Sequence, residues 1–247
     1  MKPINSYDKI AKFYDDVIGR SFESAHFIKD IINEYNSNAS DILELGCGTG
    51  SVLEVLAYDF NVTGIDQSSE MLKIAEKKFS RNGTKRAEFY RQSIDNFKLD
   101  RKFDAVICVY DTINHLTRFS QWKKLFRKVN EHLKPSGVFV FDINTLSKLD
   151  NLSFFSSFVN KFKNNYLVMD VKKIRKNVYN WELKVFENIK NDNFKLYSEN
   201  IEEASFPIKR IKEELRKDFV IKKTKTEDSN RVSGSSDRVY FVCKKRN

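Results

Sequence analysis

Residues 41–50 read Asp-Ile-Leu-Glu-Leu-Gly-Cys-Gly-Thr-Gly, and this stretch decides the fold. The apolar run that starts at Ile42 predicts a short buried strand, and glycines follow at positions 46, 48 and 50. Glycine adopts positive φ without strain and lets a ligand approach the main chain. A strand, a glycine-rich loop and then a helix are how a doubly wound sheet presents a nucleotide at the carboxyl ends of its strands.

A second short apolar run ends in a carboxylate. Residues 62–66 read Val-Thr-Gly-Ile-Asp, and Asp66 stands 20 positions after Gly46. An acid at the end of this strand can accept hydrogen bonds from ribose hydroxyls. The glycine loop and Asp66 together predict a nucleotide-binding site; the alternative is a bare structural turn between a strand and a helix.

The glycine spacing distinguishes between nucleotides. A dinucleotide fingerprint, Gly-x-Gly-x-x-Gly, requires a third glycine at position 51, which is Ser51. Glu44, Gly46, Gly48 and Gly50 instead have the spacing of class I S-adenosylmethionine-dependent methyltransferases. The chain resembles the small-molecule, aminosugar N-methyltransferase-like branch of that family, which implies S-adenosylmethionine as the cofactor. The segments that carry the resemblance further are Tyr7-Asp8-Lys-Ile-Ala-Lys-Phe-Tyr14-Asp15, Phe103-Asp104-Ala-Val-Ile-Cys108 and Leu133-Lys-Pro-Ser-Gly137.

Strands and helices alternate up to about residue 145, which predicts an α/β fold with a parallel sheet and right-handed crossovers. Beyond that point apolar and polar residues alternate at period two, which favours antiparallel strands with one wet face. With the resemblance, we expect a doubly wound, mostly parallel seven-stranded Rossmann-like sheet. Residues 1–145 and 206–247 would form the cofactor-binding domain, and 146–205 an inserted small antiparallel β cap over its carboxyl edge.

The patterns also predict individual elements. Helices are expected at 7–18, ending at Gly19, and at 22–35, 51–57, 69–79, 119–133 and 207–217. Strands are expected at 42–45, 61–65, 87–91, 104–109, 138–143, 166–171, 178–186, 194–198, 219–224 and 238–244. Asn82-Gly83 predicts a turn before the third strand.

The charge is unevenly distributed along the chain. The formal net charge is +10; residues 151–247 carry 22 Lys and Arg against 13 Asp and Glu, whereas residues 1–150 carry 22 against 21. A positive field of this kind attracts anionic partners, from a phosphorylated metabolite to a nucleic acid. The simpler explanation is that lysines occupy solvated faces, so an anionic acceptor is one candidate among several.

Composition also bears on location and on metals. Residues 1–7 lack the apolar stretch of a signal peptide, and no apolar run approaches the roughly 18 residues that span a bilayer. We therefore expect a cytoplasmic protein without a membrane partner, for which a homodimer is possible. The three cysteines have no close pair and the three histidines do not fall at ligand spacing, so neither a disulfide nor a metal site is predicted.

The resemblance assigns the cofactor-binding residues. Gly46, Cys47 and Gly48 would lie against the methionine part of the cofactor, and Asp66 would accept both ribose hydroxyls. The acidic residue that the family usually has near the adenine is Ser93 here, unless a two-residue slip brings Asp95 to that place. The whole expected set is Tyr14, Glu44, Gly46, Cys47, Gly48, Asp66, Gln67, Met71, Ser93, Ile94 and Val109.

The segment that follows the fourth strand should pass under the reacting methyl group, because polar groups at strand ends form the sites of this fold. The candidate substrate-binding residues are Tyr7, Tyr110, Asp111, Asn114, Trp181 and Arg238. His115 is the candidate general base, and its alternative is a residue at a helix start that bonds to the main chain. Tyr14 is the second candidate catalytic residue, and its alternative is amphipathic packing.

The leading functional hypothesis is methyl transfer from S-adenosylmethionine to N or O of a small metabolite. An RNA or protein methyltransferase is the second hypothesis, motivated by the basic carboxyl-terminal part. The sequence disfavours nucleic acid, since it shows no Asn-Pro-Pro-Tyr-type signature, catalytic-cysteine motif or RNA-binding module. A non-catalytic cofactor-binding protein is the third hypothesis. An NAD-linked oxidoreductase comes last because of Ser51.

Overall fold

The computed structural model describes residues 7–18, 22–81, 87–191, 193–226 and 229–246. Gly19 and the Asn82-Gly83 turn lie outside the described residues. The helices are α1 Tyr14–Ile18, α2 Phe22–Tyr35, α3 Ser51–Leu56, α4 Ser69–Arg81, α5 Phe119–His132, α6 Leu146–Phe154 and α7 Ile208–Leu215, and two 3₁₀ turns cover Ala11–Phe13 and Thr112–His115. Within the described residues, no helix is long and apolar enough to cross a membrane.

The strands form two sheets. They are β1 Asp41–Leu45, β2 Asn61–Asp66, β3 Ala87–Arg91, β4 Phe103–Cys108, β5 Leu133–Asn144, β6 Phe158–Phe162, β7 Asn165–Arg175, β8 Val178–Lys190, β9 Asn193–Ala204, β10 Phe219–Lys225 and β11 Arg238–Lys245. The seven-stranded sheet has the order β10-β11-β5-β4-β1-β2-β3, and the four-stranded sheet has the order β6-β7-β8-β9. The predicted fold class is confirmed.

The seven-stranded sheet is parallel from β5 to β3, and β10 and β11 close it in antiparallel pairing. The strand order reverses at β1, which lies between β4 and β2. This reversal opens a crevice at the carboxyl ends of the strands, where ligands bind in such folds. The quoted stretch at 41–50 therefore lies at the topological switch point.

Apolar cores cover both faces of this sheet, because alternate residues of each strand point to opposite sides. On β4, Val106 and Cys108 pack into the cluster that holds α5 and α7, whereas Ala105 and Ile107 face the cluster that holds α2 and α3. Burial on both faces explains why the central strands read as continuous apolar runs. The strand ends are thereby held rigidly at the crevice.

The cap sheet is antiparallel throughout. Its inner face carries a buried cluster of Leu167, Leu183, Val185 and Ile201, which packs against Ile10 and other residues of the amino-terminal segment. The cap and that segment therefore share one apolar core.

One local prediction was wrong, and two elements were not predicted. The expected helix at 7–18 is a 3₁₀ turn followed by the short helix α1, because Tyr7 has a positive φ of 53°. Helix α6 was missed because Leu149 is its one fully buried residue, although Thr145 caps it by accepting from the Lys148 N–H. Strand β6 was missed because it is an exposed edge strand without a regular alternation.

Candidate active site

A cavity of about 540 Å³ lies between the carboxyl ends of the parallel strands, the amino-terminal segment and the cap. Its lining includes most of the residues singled out in the sequence: Tyr7, Tyr14, Gly46, Gly48, Asp66, Gln67, Met71, Ser93, Ile94, Tyr110, Asp111, His115, Trp181 and Arg238. The residues that do not line it are Glu44, Cys47, Val109 and Asn114. Residues from both ends of the chain thus share one cavity.

The glycine loop forms one wall of the cavity. Gly46 and Gly48 have φ values of 71° and 52°. The N–H groups of Gly46 and Cys47 donate to the Ile65 carbonyl oxygen at 2.7 and 3.0 Å, which ties the loop to β2. A Cβ at Gly46 would stand 2.2 Å from Cγ2 of Thr112. The loop must therefore present bare main chain at this position.

The carboxylate of Asp66 is fixed by two main-chain amides. Its Oδ2 accepts from the Gly48 N–H at 2.9 Å, and its Oδ1 accepts from the Ser68 N–H at 2.8 Å. Burial raises the pKa of Asp66, and these amide hydrogen bonds oppose the rise. An ionised carboxylate has about four lone-pair sites, so Asp66 can still accept hydroxyl donors from the cavity side.

Glu44 and Cys47 support the loop from behind. Glu44 is 3% exposed, and its Oε2 has no hydrogen-bond partner among the described residues. Burial, followed by the nearby charge of Asp66, raises the pKa of Glu44 well above its usual value. Burial likewise raises the pKa of the Cys47 thiol, so it remains protonated. Neither residue lines the cavity, so both are placed behind the loop rather than in its wall.

The expected adenine end has Ser93 and Ile94 in its wall, together with Met71. The hydroxyl of Ser93 donates to Oδ1 of Asp95 at 2.7 Å, and Gln121 donates to Oδ2 of Asp95 at 3.2 Å. Asp95 is engaged in this way and does not line the cavity. The register therefore keeps Ser93 at the position where the family usually has an acid.

The amino-terminal segment closes the cavity with two tyrosines. Tyr7 and Tyr14 pack edge to face, with ring centroids 5.7 Å apart. Burial raises the pKa of both hydroxyls, so they remain protonated hydrogen-bond donors. Tyr14 therefore fits a role in binding, whereas its hydroxyl is poorly suited to act as a base.

A polar anchor ties this segment to the glycine loop. Asp15 accepts hydrogen bonds from the hydroxyls of Thr49 and Ser51, and it pairs with the Lys78 ammonium at 3.1 Å. These contacts lower the pKa of Asp15 despite its partial burial. The segment is therefore held over the cofactor side by charge-assisted hydrogen bonds, which are stronger than neutral ones.

The turn after β4 is strained and held by an ion cluster. Tyr110 and Asp111 have φ values of 57° and 51°. This left-handed conformation costs about 1–2 kcal/mol for each residue that is not glycine. Arg238 bridges the carboxylates of Asp111 and Asp142. Burial raises the pKa of Asp142 to about 6, although the charge of Arg238 opposes this. The cation of Arg238 is thus committed to two carboxylates.

His115 and Trp181 both line the cavity. The Tyr7 hydroxyl lies 3.4 Å from Nε2 of His115, and Nδ1 of His115 makes no well-formed hydrogen bond within the described residues. Burial lowers the pKa of His115, so the ring is neutral near pH 7. Nε1 of Trp181 is likewise buried without a partner there. Both rings thus lie in the cavity wall, and a main-chain contact with Glu202 also acts on the His115 ring.

Asn114 does not face the cavity, contrary to the sequence-based prediction. Its Nδ2 donates to the carbonyl oxygens of Asn144 and Ala204, both at 2.9 Å, and its Oδ1 accepts from the Asn144 N–H at 3.1 Å. Every polar atom of the side chain is thus used in joining β5 to the end of β9. Asn114 is a positioning residue for Asn144.

Sequence reasoning missed several residues of the wall. Asn144, Lys148 and Glu203 supply polar groups on the cap side. The apolar wall of the cap consists of Leu167, Met169, Leu183 and Val185. The rule that polar residues collect at strand ends points to Asn144. Lys148 lies in the helix that was missed, and Glu203 stands in an alternating strand whose placement only the fold reveals.

These residues fit an adenosyl sulfonium. Bare main chain at Gly46, a carboxylate at Asp66 and apolar walls at Met71 and Ile94 suit the methionine, ribose and adenine parts respectively. The Oε2 of Glu44, which has no hydrogen-bond partner among the described residues, adds a buried polar atom behind the loop. The chemistry of the wall therefore matches the cofactor that the resemblance implies.

Comparisons with known proteins agree with this geometry. A family model described as a methyltransferase domain matches residues 42–137. The crystal structure of an S-adenosylmethionine-dependent methyltransferase from Clostridium acetobutylicum has a TM-score of 0.86 and 30% identity, over 98% of this chain and 100% of that chain. A putative methyltransferase of Geobacillus is 27% identical over 97% of this chain and its own full length. A dTDP-3-amino-3,4,6-trideoxy-alpha-D-glucopyranose N,N-dimethyltransferase of Streptomyces venezuelae is 30% identical over 47% of each protein.

The fold, the cavity and these similarities define the class. The chain belongs to the class I S-adenosylmethionine-dependent methyltransferases. It is an enzyme that uses S-adenosylmethionine as its cofactor, as the resemblance predicted.

Proposed function

We propose that the enzyme transfers a methyl group to the amino nitrogen of a small sugar derivative. The observation that carries this proposal is the cavity, which extends from the glycine loop to the apolar wall of the cap. At the cap end it has a polar cluster that includes Asn144, Lys148 and Glu203. A cavity of about 540 Å³ is of the size that holds a small molecule. A cavity of this size favours a small acceptor that enters beneath the cap, rather than a macromolecule that binds to the outer surface.

The cofactor would be held by the side of the cavity that β1 and β2 supply. Main chain at Gly46 and Gly48, the carboxylate of Asp66 and the side chains of Met71 and Ile94 are the groups in place. When bound, S-adenosylmethionine supplies an electrophilic methyl group on a sulfonium. The task left to the chain is to align the acceptor and to exclude water, and such orientation can lower a barrier by about 7–11 kcal/mol.

The polar cluster supports a nitrogen acceptor. The tyrosine hydroxyls remain protonated and His115 is neutral, so the wall offers donors and acceptors but few free charges. Lys148 bonds to the neutral Oδ1 of Asn144 at 2.9 Å and lies near the Glu203 carboxyl, and its ammonium group can also attract an anionic part of the acceptor. The N,N-dimethyltransferase of Streptomyces venezuelae acts on an aminosugar that carries a nucleoside diphosphate, a molecule with both features.

An acceptor panel tests the proposal. The protein is incubated with methyl-labelled S-adenosylmethionine and either dTDP-3-amino-3,6-dideoxy-alpha-D-glucopyranose or its 3-hydroxy counterpart. We expect label in the amino compound, as N-methyl and N,N-dimethyl products in the mass spectrum, and none in the hydroxy compound. Methylation of the hydroxy compound alone would reassign the target atom, and no transfer to the amino compound would refute the proposal.

A second candidate is methylation of RNA, and one observation favours it. An open groove beside the edge strand β10 has five cations in its wall: Lys212, Arg216, Lys222, Lys223 and Arg246. Clustered cations bind phosphate backbones with an affinity that falls steeply with salt. Salt-sensitive RNA binding together with label transfer to RNA would support this candidate, whereas RNA binding without transfer would leave the small-molecule function in place.

A further inference from the structure

Three carboxyl groups line the described wall of the cavity, and two of them are already engaged. Asp66 accepts two main-chain amides, and Asp111 is paired with Arg238. Glu203 is the third, and it has no ion pair within the described part of the chain. Its Oε2 accepts one hydrogen bond, at 3.2 Å from the neutral side chain of Asn144. Glu203 is therefore the wall carboxyl that is left without an ion-pair partner among the described residues.

Glu203 is also rigidly placed. It is 3% exposed and lies next to Ala204, where β9 leaves the cap and returns to the main domain. The Asn144 side chain that holds it also accepts from Lys148, and the main chain of Asn144 is fixed on both sides by Asn114. A carboxyl held in this way keeps a defined position, as groups that bind or transfer protons must.

The groups around Glu203 set its affinity for a proton. Those that face it are Asp111 from the turn after β4, Arg238 from β11, Lys148 from α6, Tyr7 from the amino-terminal segment and Tyr179 opposite it on β8. Burial, followed by the charge of Asp111, raises the pKa of Glu203 well above its usual value, and the Asn144 hydrogen bond, Lys148 and Arg238 only partly offset this. A carboxyl with a raised pKa is a stronger base toward an ammonium group.

We propose that Glu203 binds the acceptor amine and accepts the proton that the amine must lose before methyl transfer, an inference that rests on the proposed function. An amine arrives mostly as R–NH₃⁺, whose nitrogen has no free lone pair. The proton moves from nitrogen to the Glu203 carboxylate, giving R–NH₂ and a neutral carboxylic acid. The nitrogen lone pair then forms the N–C bond while the C–S bond breaks and its electron pair returns to sulfur.

Burial favours this direction of proton transfer. An ammonium and a carboxylate become two neutral groups, and a low-dielectric cavity disfavours charges that are not fully paired and hydrogen-bonded. The other candidate base, His115, is in contact with the Tyr7 hydroxyl. Glu203 thus completes an acceptor site in which Lys148 and Trp181 supply donors and Glu203 supplies the base.

The test compares pH profiles of kcat/KM for the aminosugar nucleotide between pH 6.5 and 9.5. Glu203→Gln keeps the size of the side chain and can still accept from Asn144, but it has no basic carboxylate. We expect kcat/KM to fall about 100-fold near pH 7, the lower end of the usual contribution of a general base. The deficit should shrink as the pH rises, because the amine then loses its proton to solvent. Glu203→Asp, which retains a carboxylate, should keep the wild-type pH dependence at a lower rate.

The matched control is Glu202→Gln on the opposite face of the same strand, where the side chain pairs with the exposed Arg175 at 3.0 Å. It should leave the profile unchanged, and calorimetry should give each variant the wild-type affinity for S-adenosylhomocysteine. The inference is overturned if Glu203→Gln follows the wild type, or if it loses the same factor at every pH, as a purely structural defect would. If the wild-type enzyme methylates no amine, the proposed function itself fails.

Discussion

Gly46→Ala should destabilise the protein by a predictable amount. The added Cβ would lie 2.2 Å from Cγ2 and 2.9 Å from Oγ1 of Thr112, whereas a Cβ at Gly48 would meet nothing within 4 Å. Both glycines have positive φ, which costs an alanine about 1–2 kcal/mol. The overlap at position 46 adds about 1–3 kcal/mol, the usual cost of overpacking. We therefore expect a loss of about 2–5 kcal/mol for Gly46→Ala against about 1–2 kcal/mol for Gly48→Ala.

A double-mutant cycle isolates the overlap. Thr112→Ala removes both of the closest atoms and leaves Cβ of residue 112 at 3.2 Å. On its own it costs about 1 kcal/mol, because the Thr112 hydroxyl no longer donates to the Val109 carbonyl oxygen. Combined with Gly46→Ala it should recover most of the overlap, a coupling of about 1–3 kcal/mol.

Urea unfolding measures these free energies, and calorimetry with S-adenosylhomocysteine measures the binding that remains. The expected losses are smaller than the roughly 5–15 kcal/mol of stability of an ordinary domain, so the variants should fold. Gly46→Ala should weaken binding because the loop must shift to accommodate Thr112. Equal stabilities for the two alanine variants, or no coupling with Thr112→Ala, would refute the reasoning.

Other perturbations test the remaining parts of the site. Asp66→Asn replaces the carboxylate that would accept from the ribose hydroxyls by a neutral amide, and so loses one charge-assisted hydrogen bond to the ligand, worth about 1.5–3 kcal/mol. Calorimetry should show the Kd for S-adenosylhomocysteine rising roughly 10- to 150-fold, and a change below about threefold contradicts this. Arg238→Leu leaves Asp142 and Asp111 without their cation and should lower the free energy of unfolding in urea by about 3–5 kcal/mol. Adding Asp142→Asn to this variant should restore part of that stability, and no recovery would contradict the role given to the ion cluster. Glu44 has a folded pKa above its unfolded value, so its contribution to stability is greatest at low pH and is lost as the pH rises through the folded pKa. Glu44→Gln should therefore flatten the fall of Tm between pH 5 and 8, and an unchanged slope would show that Glu44 does not titrate in this range.

The sequence by itself determined the cofactor side of the protein. The loop at 46–50 and the acid at Asp66 are close in sequence, and the physics that binds a nucleotide there is local: glycines that free the main chain and a strand end that carries a carboxylate. The helices and strands that surround them also follow from short periodic patterns. Residue spacing, together with the family resemblance, was enough to predict these features.

Only the tertiary structure decided the acceptor side. Glu203, Lys148 and Asn144 line one cavity with Tyr7 and Arg238 because the cap folds back over the sheet. The cavity is thus shared by residues as far as 231 positions apart. No local sequence pattern predicts which of these residues line the cavity, because a glutamate in an alternating strand has the same sequence context whether it faces solvent or a cavity. Burial is a property of the whole fold, and here it separates a partly exposed glutamate at position 202 from a buried one at position 203.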